Sequence, residues 1–297
     1  MAIFFIDRET GHKQEEKVAG DDYLSWLYQT KSGSFFLQTL IKRKLVSYLY
    51  GKMQDTSLSK TKIKRFIAEN KIDMTEALVE DPSAYRTFND FFTRQLKPEA
   101  RPIIRENHVF ISPADGRILA WENIVSEKPL PIKGRYCGLA ELLQNRKLAR
   151  EYMGGTCLII RLTPADCHRF YFPDQGTPSY PIKIKGAYYS VNPKALSKIP
   201  NLYSQNKREL TIFYSQNFGK LLMVEVGATF IGSIVQTYRP EKPVLKGSEK
   251  GYFKFGGSTI ILILKNNKMK VDEDLLINTS RGLETKIKIG EQIGQKV

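Results

Sequence analysis

The spacing of apolar positions divides the chain into two parts. Up to about residue 100, apolar side chains recur every three or four residues. Leu37, Leu40, Ile41, Leu45, Tyr48 and Leu49 share one face, and Ile63, Phe66 and Ile67 share another. That is the period of amphipathic helices. Asp81-Pro82-Ser83 places a proline in a first helical turn. Thr87 and Asp90 form a capping pair ahead of an apolar stripe of Phe88, Phe91 and Phe92. The proline-marked stretch LKPEARP, residues 96–102, closes the helical part. Beyond it the pattern shortens. Thr156 to Leu162, Leu210 to Tyr214, Leu221 to Val226, Thr229 to Ile234 and Thr259 to Leu264 read as strands separated by Gly, Pro and Asn. Strands and helices do not alternate regularly, so a doubly wound sheet is not expected. The expected fold class is α+β: a helical N-terminal region, residues 1–105, layered on a mainly β core, residues 106–297. Residues 1–22 are polar and are expected to be loose.

Charge changes this picture more than composition does. The chain has 297 residues, 41% of them hydrophobic, as in ordinary globular proteins, and a net charge of +15. The longest charge-free stretch, Val226 to Tyr238, has 13 residues, and a spanning helix needs about 20. An anionic partner is expected, either nucleic acid or a membrane surface. Residues 42–71 carry nine basic and two acidic residues, hence +7. An apolar stripe beside so many cations suits either a membrane interface or a core-packed helix with a solvated basic face. No RRM, KH or helix-turn-helix signature accompanies the charge.

The polar inventory is small. Cys137, Cys157 and Cys167 give no CxxC pair, which points to a reducing compartment. Three histidines and three cysteines do not compose a zinc site of usual spacing, so no metal is expected. The N-terminus lacks the basic region of a secretion signal.

Three segments could carry chemistry. Ser112-Pro113-Ala114-Asp115-Gly116 holds an Asp in a turn. Thr163 to Tyr171 holds His168. Lys254-Phe255-Gly256-Gly257-Ser258-Thr259 runs into the last apolar strand. Each has an ordinary structural reading alone. Together they supply an Asp, a His and a Ser, the inventory of a supported nucleophile. The paired glycines matter most, because a serine can attack its own preceding carbonyl only where the backbone turns sharply and nothing shields the carbon.

These segments belong to a longer pattern: YRTFNDFFTRQLKPEARPI (85–103), SPADGRI (112–118), IKGRYCGLAELL (132–143), LTPADCHRFYFP (162–173), YSVNPKAL (189–196), IPNLYSQNKREL (199–210), VGATFIGSI (226–234) and KGSEKGYFKFGGST (246–259). In this order they resemble the phosphatidylserine decarboxylases, in the branch whose processing site reads Gly-Gly-Ser-Thr. The resemblance spans roughly residues 82–265.

The resemblance implies a proenzyme that cuts itself between Gly257 and Ser258. The products would be a β chain, 1–257, and an α chain, 258–297, associated as a heterodimer that could itself pair. Ser258 would become a covalent pyruvoyl group, the only cofactor. Phosphatidylserine would then be decarboxylated to phosphatidylethanolamine through an imine on that group. His168 is implied as the base and Asp115 as its orienting carboxylate. Family members often carry a second histidine three residues after the first, but here the position is Tyr171, a candidate acid. Tyr189, Ser190 and Asn192 are candidate pocket residues, and Cys167 reads as a small buried filler. With a lipid substrate implied, the basic helices are expected to dock on an anionic membrane from the cytoplasmic side, with no nucleic-acid partner. An uncleaved lipid-binding relative and a decarboxylase of another amino compound are the rival readings.

Overall fold

The computed structural model describes residues 3–16, 51–124, 130–132, 135–187, 189–191, 195–196, 199, 201–227, 234–255 and 258–297. The apolar helix face expected over residues 37–49, the strand expected from Thr229, Asn192 and the two glycines of the processing site lie outside these residues. Strands dominate over helices among the described residues, as expected for the core.

In chain order the strands are β1 (Phe4–Asp7), β2 (Lys13–Glu15), β3 (Val109–Ile111), β4 (Gly116–Trp121), β5 (Leu130–Ile132), β6 (Arg135–Cys137), β7 (Thr156–Leu162), β8 (Arg169–Tyr171) and β9 (Gly176–Pro178). They continue with β10 (Ile182–Ile184), β11 (Arg208–Ser215), β12 (Gly219–Gly227), β13 (Ile234–Gln236), β14 (Glu249–Phe253), β15 (Ser258–Leu264), β16 (Met269–Val271), β17 (Glu284–Ile287) and β18 (Gln292–Lys296). The main sheet runs β10-β11-β12-β15-β7-β4-β17-β1-β2, with β9 also paired to β11. Its central pairs, β11 to β17, are antiparallel. Two small sheets, β13-β14-β8 and β16-β18-β3, pack beside it.

The sheet is buried on both faces, so its central strands are apolar runs without alternation. Leu222, Val224, Ile261 and Ile263 face a layer that includes Leu142, Leu148 and Tyr203 from short helices. Leu221, Met223, Ile260 and Leu262 face Phe170, Phe253 and Ile293 from the small sheets. A third cluster lies in the N-terminal region. There Phe66 of the Ile63–Asn70 helix meets Phe88 edge-on at 5.0 Å, and Phe255 joins both. The Thr87 cap is as expected: its side chain accepts from Asp90 N at 3.1 Å and starts the Phe88–Phe92 helix.

The N-terminal segment corrects an expectation. Residues 4–15 are not loose: β1 pairs in parallel with β17, and β2 folds back on β1. The reason is electrostatic. Buried Arg161 forks onto Glu16 and Glu284, with contacts of 2.6 to 3.0 Å. Arg8 reaches Asp272 and Asp274 at 2.8 Å, and the Arg117 guanidinium lies 4.2 Å over the Phe5 ring. Bidentate arginine pairs of this kind hold a charged segment that hydropathy alone would release.

Candidate active site

Strand directions gather the site. Strand β7 runs antiparallel to both β4 and β15. The start of β4, the end of β7 and the start of β15 therefore lie at one end of the sheet. Asp115 immediately precedes β4, Ser258 opens β15 opposite Leu162, and the loop after β7 leads to His168. Gly116, next to Asp115, has no room for a side chain, since a Cβ there would sit 2.7 Å from Arg161 O.

Ser258 is fully buried, and its Oγ has no hydrogen-bond partner among the described residues. His168 is 1% exposed and lies against the Phe92 ring, with centroids 3.9 Å apart. Its Nδ1 is 3.0 Å from Asp166 O. A carbonyl only accepts, so Nδ1 carries the proton and Nε2 is left as a bare lone pair. That Nε2 is buried and has no partner among the described residues. Burial lowers the His168 pKa to about 4, with the Arg94 charge acting in the same direction. Asp166 opposes both without overcoming them. The imidazole is thus a neutral base at physiological pH. An idle hydroxyl and an idle ring nitrogen at one end of a sheet, both dry, are costly to keep.

The histidine has a testable pH signature. Between 6.5 and about 4, the unfolded chain binds a proton that folded His168 refuses. Stability therefore falls as pH drops through that window. His168→Gln is expected to flatten the dependence there. Denaturant unfolding at stepped pH, in a Ser258→Ala background that keeps both chains uncut, measures it.

The other residues expected at the site divide. The Asp115 carboxylate is brought to the right end of the sheet but not into hydrogen-bond contact with His168. It accepts from Arg101 Nε at 2.8 Å and Nη2 at 2.8 Å, and from Ile289 N at 2.8 Å. The contact that orients His168 is the Asp166 carbonyl. Tyr171 lies on β8 beside the Asp115 turn, its N–H donating to Pro113 O at 2.9 Å. Burial raises its pKa above the usual phenol value, so it stays a protonated donor. Tyr189 is buried and clamped by Asn206, whose Oδ1 accepts from Tyr189 N at 2.9 Å. Asn206 Nδ2 donates to Tyr189 O and to Gly227 O. Gly227 pairs with Ser258, so the clamp carries Tyr189 and Ser190 to the same end of the sheet. Cys167 is buried, its thiol pushed up to about 11 by burial, consistent with a filler.

Two features escaped the sequence. Arg94, between Thr93 and Gln95 just after the Phe91-Phe92 pair, is 5% exposed, and two of its nitrogens have no partner among the described residues. Lys250 and Glu225 form a fully buried pair at 3.0 Å, bridging β14 to β12 on the sheet face that Ser258 shares. Of these residues only Glu225 left a sign in the sequence, as a charge within the apolar run from Leu221 to Val226. No group of three His, Cys, Asp or Glu among the described residues could hold a metal.

The arrangement, a dry serine opening a central strand with a neutral histidine base at the same end, is equipped for a chain to act on its own backbone. Comparison with known proteins places it further. A family model described as phosphatidylserine decarboxylase matches residues 88–295. Curated relatives named phosphatidylserine decarboxylase proenzyme include one from Clostridium perfringens (strain ATCC 13124), 52% identical over 294 residues, 99% of this chain and 100% of the relative. One from Clostridium novyi (strain NT) is 51% identical over 282 residues, 95% of each chain. One from Clostridium botulinum (strain Hall) is 50% identical over 295 residues, 99% of each. The chain belongs to the phosphatidylserine decarboxylase family.

Proposed function

We propose that the chain cuts itself between Gly257 and Ser258 and then converts phosphatidylserine to phosphatidylethanolamine and carbon dioxide. The observation that carries this reading is the buried, unpartnered Ser258 hydroxyl at the first position of β15. His168 Nε2 accepts the Ser258 hydroxyl proton as Oγ attacks the Gly257 carbonyl carbon, and the amide becomes an ester. Loss of the Ser258 α-proton to a base then breaks the Cβ–Oγ bond and releases Gly257 as a carboxylate. The dehydroalanine left at residue 258 tautomerises to an imine, and water hydrolyses it with release of ammonia; the pyruvoyl group so formed would supply the electron sink for decarboxylation. The site fits it: elimination leaves a methyl in the buried slot where the hydroxyl finds no partner among the described residues, and a methyl needs none. Tyr171, kept protonated by burial, is a candidate donor of a proton to the substrate carbon. Asp115 holds Arg101 and the Ile289 amide, and so fixes the turn that Tyr171 abuts.

The two products would stay together without a peptide bond. Strand β15, which begins the small chain, pairs along its whole length with β12 on one side and β7 on the other. Incubating the purified protein with phosphatidylserine tests the activity. Phosphatidylethanolamine is expected, and its absence from fully cleaved protein would overturn the reading.

The substrate lies in a membrane, and no helix among the described residues is long and apolar enough to cross one. Peripheral docking instead is supported by Leu58, 82% exposed, and Met53, 58% exposed, on a stretch that carries Lys52, Lys60 and Lys62. Met53→Glu with Leu58→Glu removes about 1.5–3 kcal/mol per side chain from interfacial burial. Cosedimentation with phosphatidylserine vesicles is expected to fall roughly tenfold or more. Unchanged cosedimentation would exclude this stretch as the docking surface.

A further inference from the structure

Arg94 is an unusual cation. It is buried, and its Nη2 donates to Ala165 O at 3.2 Å. Its guanidinium lies 5.0 Å from the Phe91 ring centroid. Among the described residues its Nε and Nη1 have no partner, and no carboxylate pairs with it. A buried guanidinium with idle donors is unfavourable unless an anion arrives to take them. Arg94 lines a cleft of about 240 Å³ together with Lys71, Arg101, Lys286 and Lys288. Four acids also line the cleft, each already engaged: Asp115 and Glu76 by Arg101, Asp166 by the Thr163 amide and hydroxyl, and Asp73 by the Thr75 amide and hydroxyl. Ala165 stands three residues before His168, so the cleft opens beside the reacting centre.

We propose that Arg94 binds the phosphodiester of the phospholipid headgroup in this cleft. The inference rests on the decarboxylase reading and adds a subsite to it. The substrate carries two anionic groups, and chemistry selects between them. A guanidinium held on the carboxylate would stabilise the charge that must be lost as carbon dioxide leaves, and would raise the barrier. A guanidinium on the phosphodiester costs nothing in that step and matches the planar fork of arginine. In the headgroup, only a methylene and an ester oxygen separate phosphorus from the carbon that carries the amine. A phosphate held at Arg94 therefore keeps the amine near the end of the sheet where Ser258 lies.

The test uses purified, self-cleaved Arg94→Met and Arg94→Lys beside the wild type. Decarboxylation of phosphatidylserine is inhibited in turn with glycerophosphoethanolamine, ethanolamine and inorganic phosphate. Arg94→Met is expected to raise KM and to weaken glycerophosphoethanolamine roughly thirtyfold, the loss of a charge-assisted hydrogen-bonded pair. Ethanolamine, which has no phosphate, is expected to inhibit the wild type and Arg94→Met equally. Arg94→Lys, which keeps the charge without the fork, is expected to fall between them, and it decides the matter if Arg94→Met fails to fold. Equal weakening of both amines, or no change in either, overturns the proposal. So does stronger inhibition of the wild type by inorganic phosphate than by glycerophosphoethanolamine, which would mark a free-anion site. Failure of both variants to self-cleave overturns it as well and moves Arg94 to the processing step. A wild type that cleaves but does not decarboxylate would defeat the decarboxylase reading itself, a result distinct from any difference between variants.

Discussion

Ser258→Ala is expected to remain a single chain of 297 residues and 34.0 kDa, with no decarboxylase activity. The loss is all-or-none because one oxygen serves as nucleophile in the cut and marks the residue that becomes the reactive carbonyl. The variant is also expected to fold at least as stably as the uncut precursor. The hydroxyl it removes is buried and unpaired, and an unsatisfied buried polar group costs about 1–3 kcal/mol. Gel electrophoresis and thermal unfolding read the two halves of this prediction separately. Cleavage of Ser258→Ala at the same position would show that another group performs the attack.

The second large effect concerns stability. Lys250 and Glu225 are both fully buried, and Lys250 Nζ also donates to Gln236 Oε1 at 2.9 Å. Burial raises the Glu225 pKa and lowers that of Lys250; each charge opposes the shift of the other, helped by Gln236 at Glu225 and by Glu209 near Lys250. Glu225→Leu would strand an ammonium in an apolar layer beside Phe170 and is expected to cost about 3–5 kcal/mol. That is a large share of a typical stability of roughly 5–15 kcal/mol. Adding Lys250→Met is expected to restore most of the loss, since an apolar pair of similar volume replaces a buried ion pair at little cost. Denaturant unfolding in the Ser258→Ala background measures both. A double variant no better than the single would show that the pair's hydrogen bonds, and not its charge balance, hold β14 to β12.

The sequence disclosed the parts of the fold that hydrophobic burial determines. Strands β7 and β15 coincide with the apolar runs from Thr156 and Thr259, and the Thr87 cap begins its helix where the pattern placed it. What it concealed was decided by charge. Residues 4–15 look polar and unattached, yet they complete the sheet because Arg161 reaches Glu16 from a strand far along the chain. Only three-dimensional pairing reveals that. At the site, Ser258 and His168 were legible because Gly-Gly-Ser-Thr and the histidine segment carry their chemistry locally. The Asp115 contact was not, because hydrogen bonds depend on which side chains the sheet brings together. Arg101, fourteen residues upstream, takes the carboxylate, and a backbone carbonyl takes the imidazole. Arg94 was present in a recognised motif without a role, since nothing in a sequence shows that a charged side chain is buried and unpaired.

The central claim is that Ser258 changes from an interior residue into the modified first residue of a separate chain. Intact-mass analysis of the purified protein after denaturation measures this directly. The account predicts two chains, residues 1–257 and 258–297. The smaller is expected to carry a ketone at Cα of residue 258 in place of the amine, and a methyl in place of the hydroxymethyl side chain. A single uncut chain, or a small chain beginning with an unmodified Ser258 amine, would contradict it.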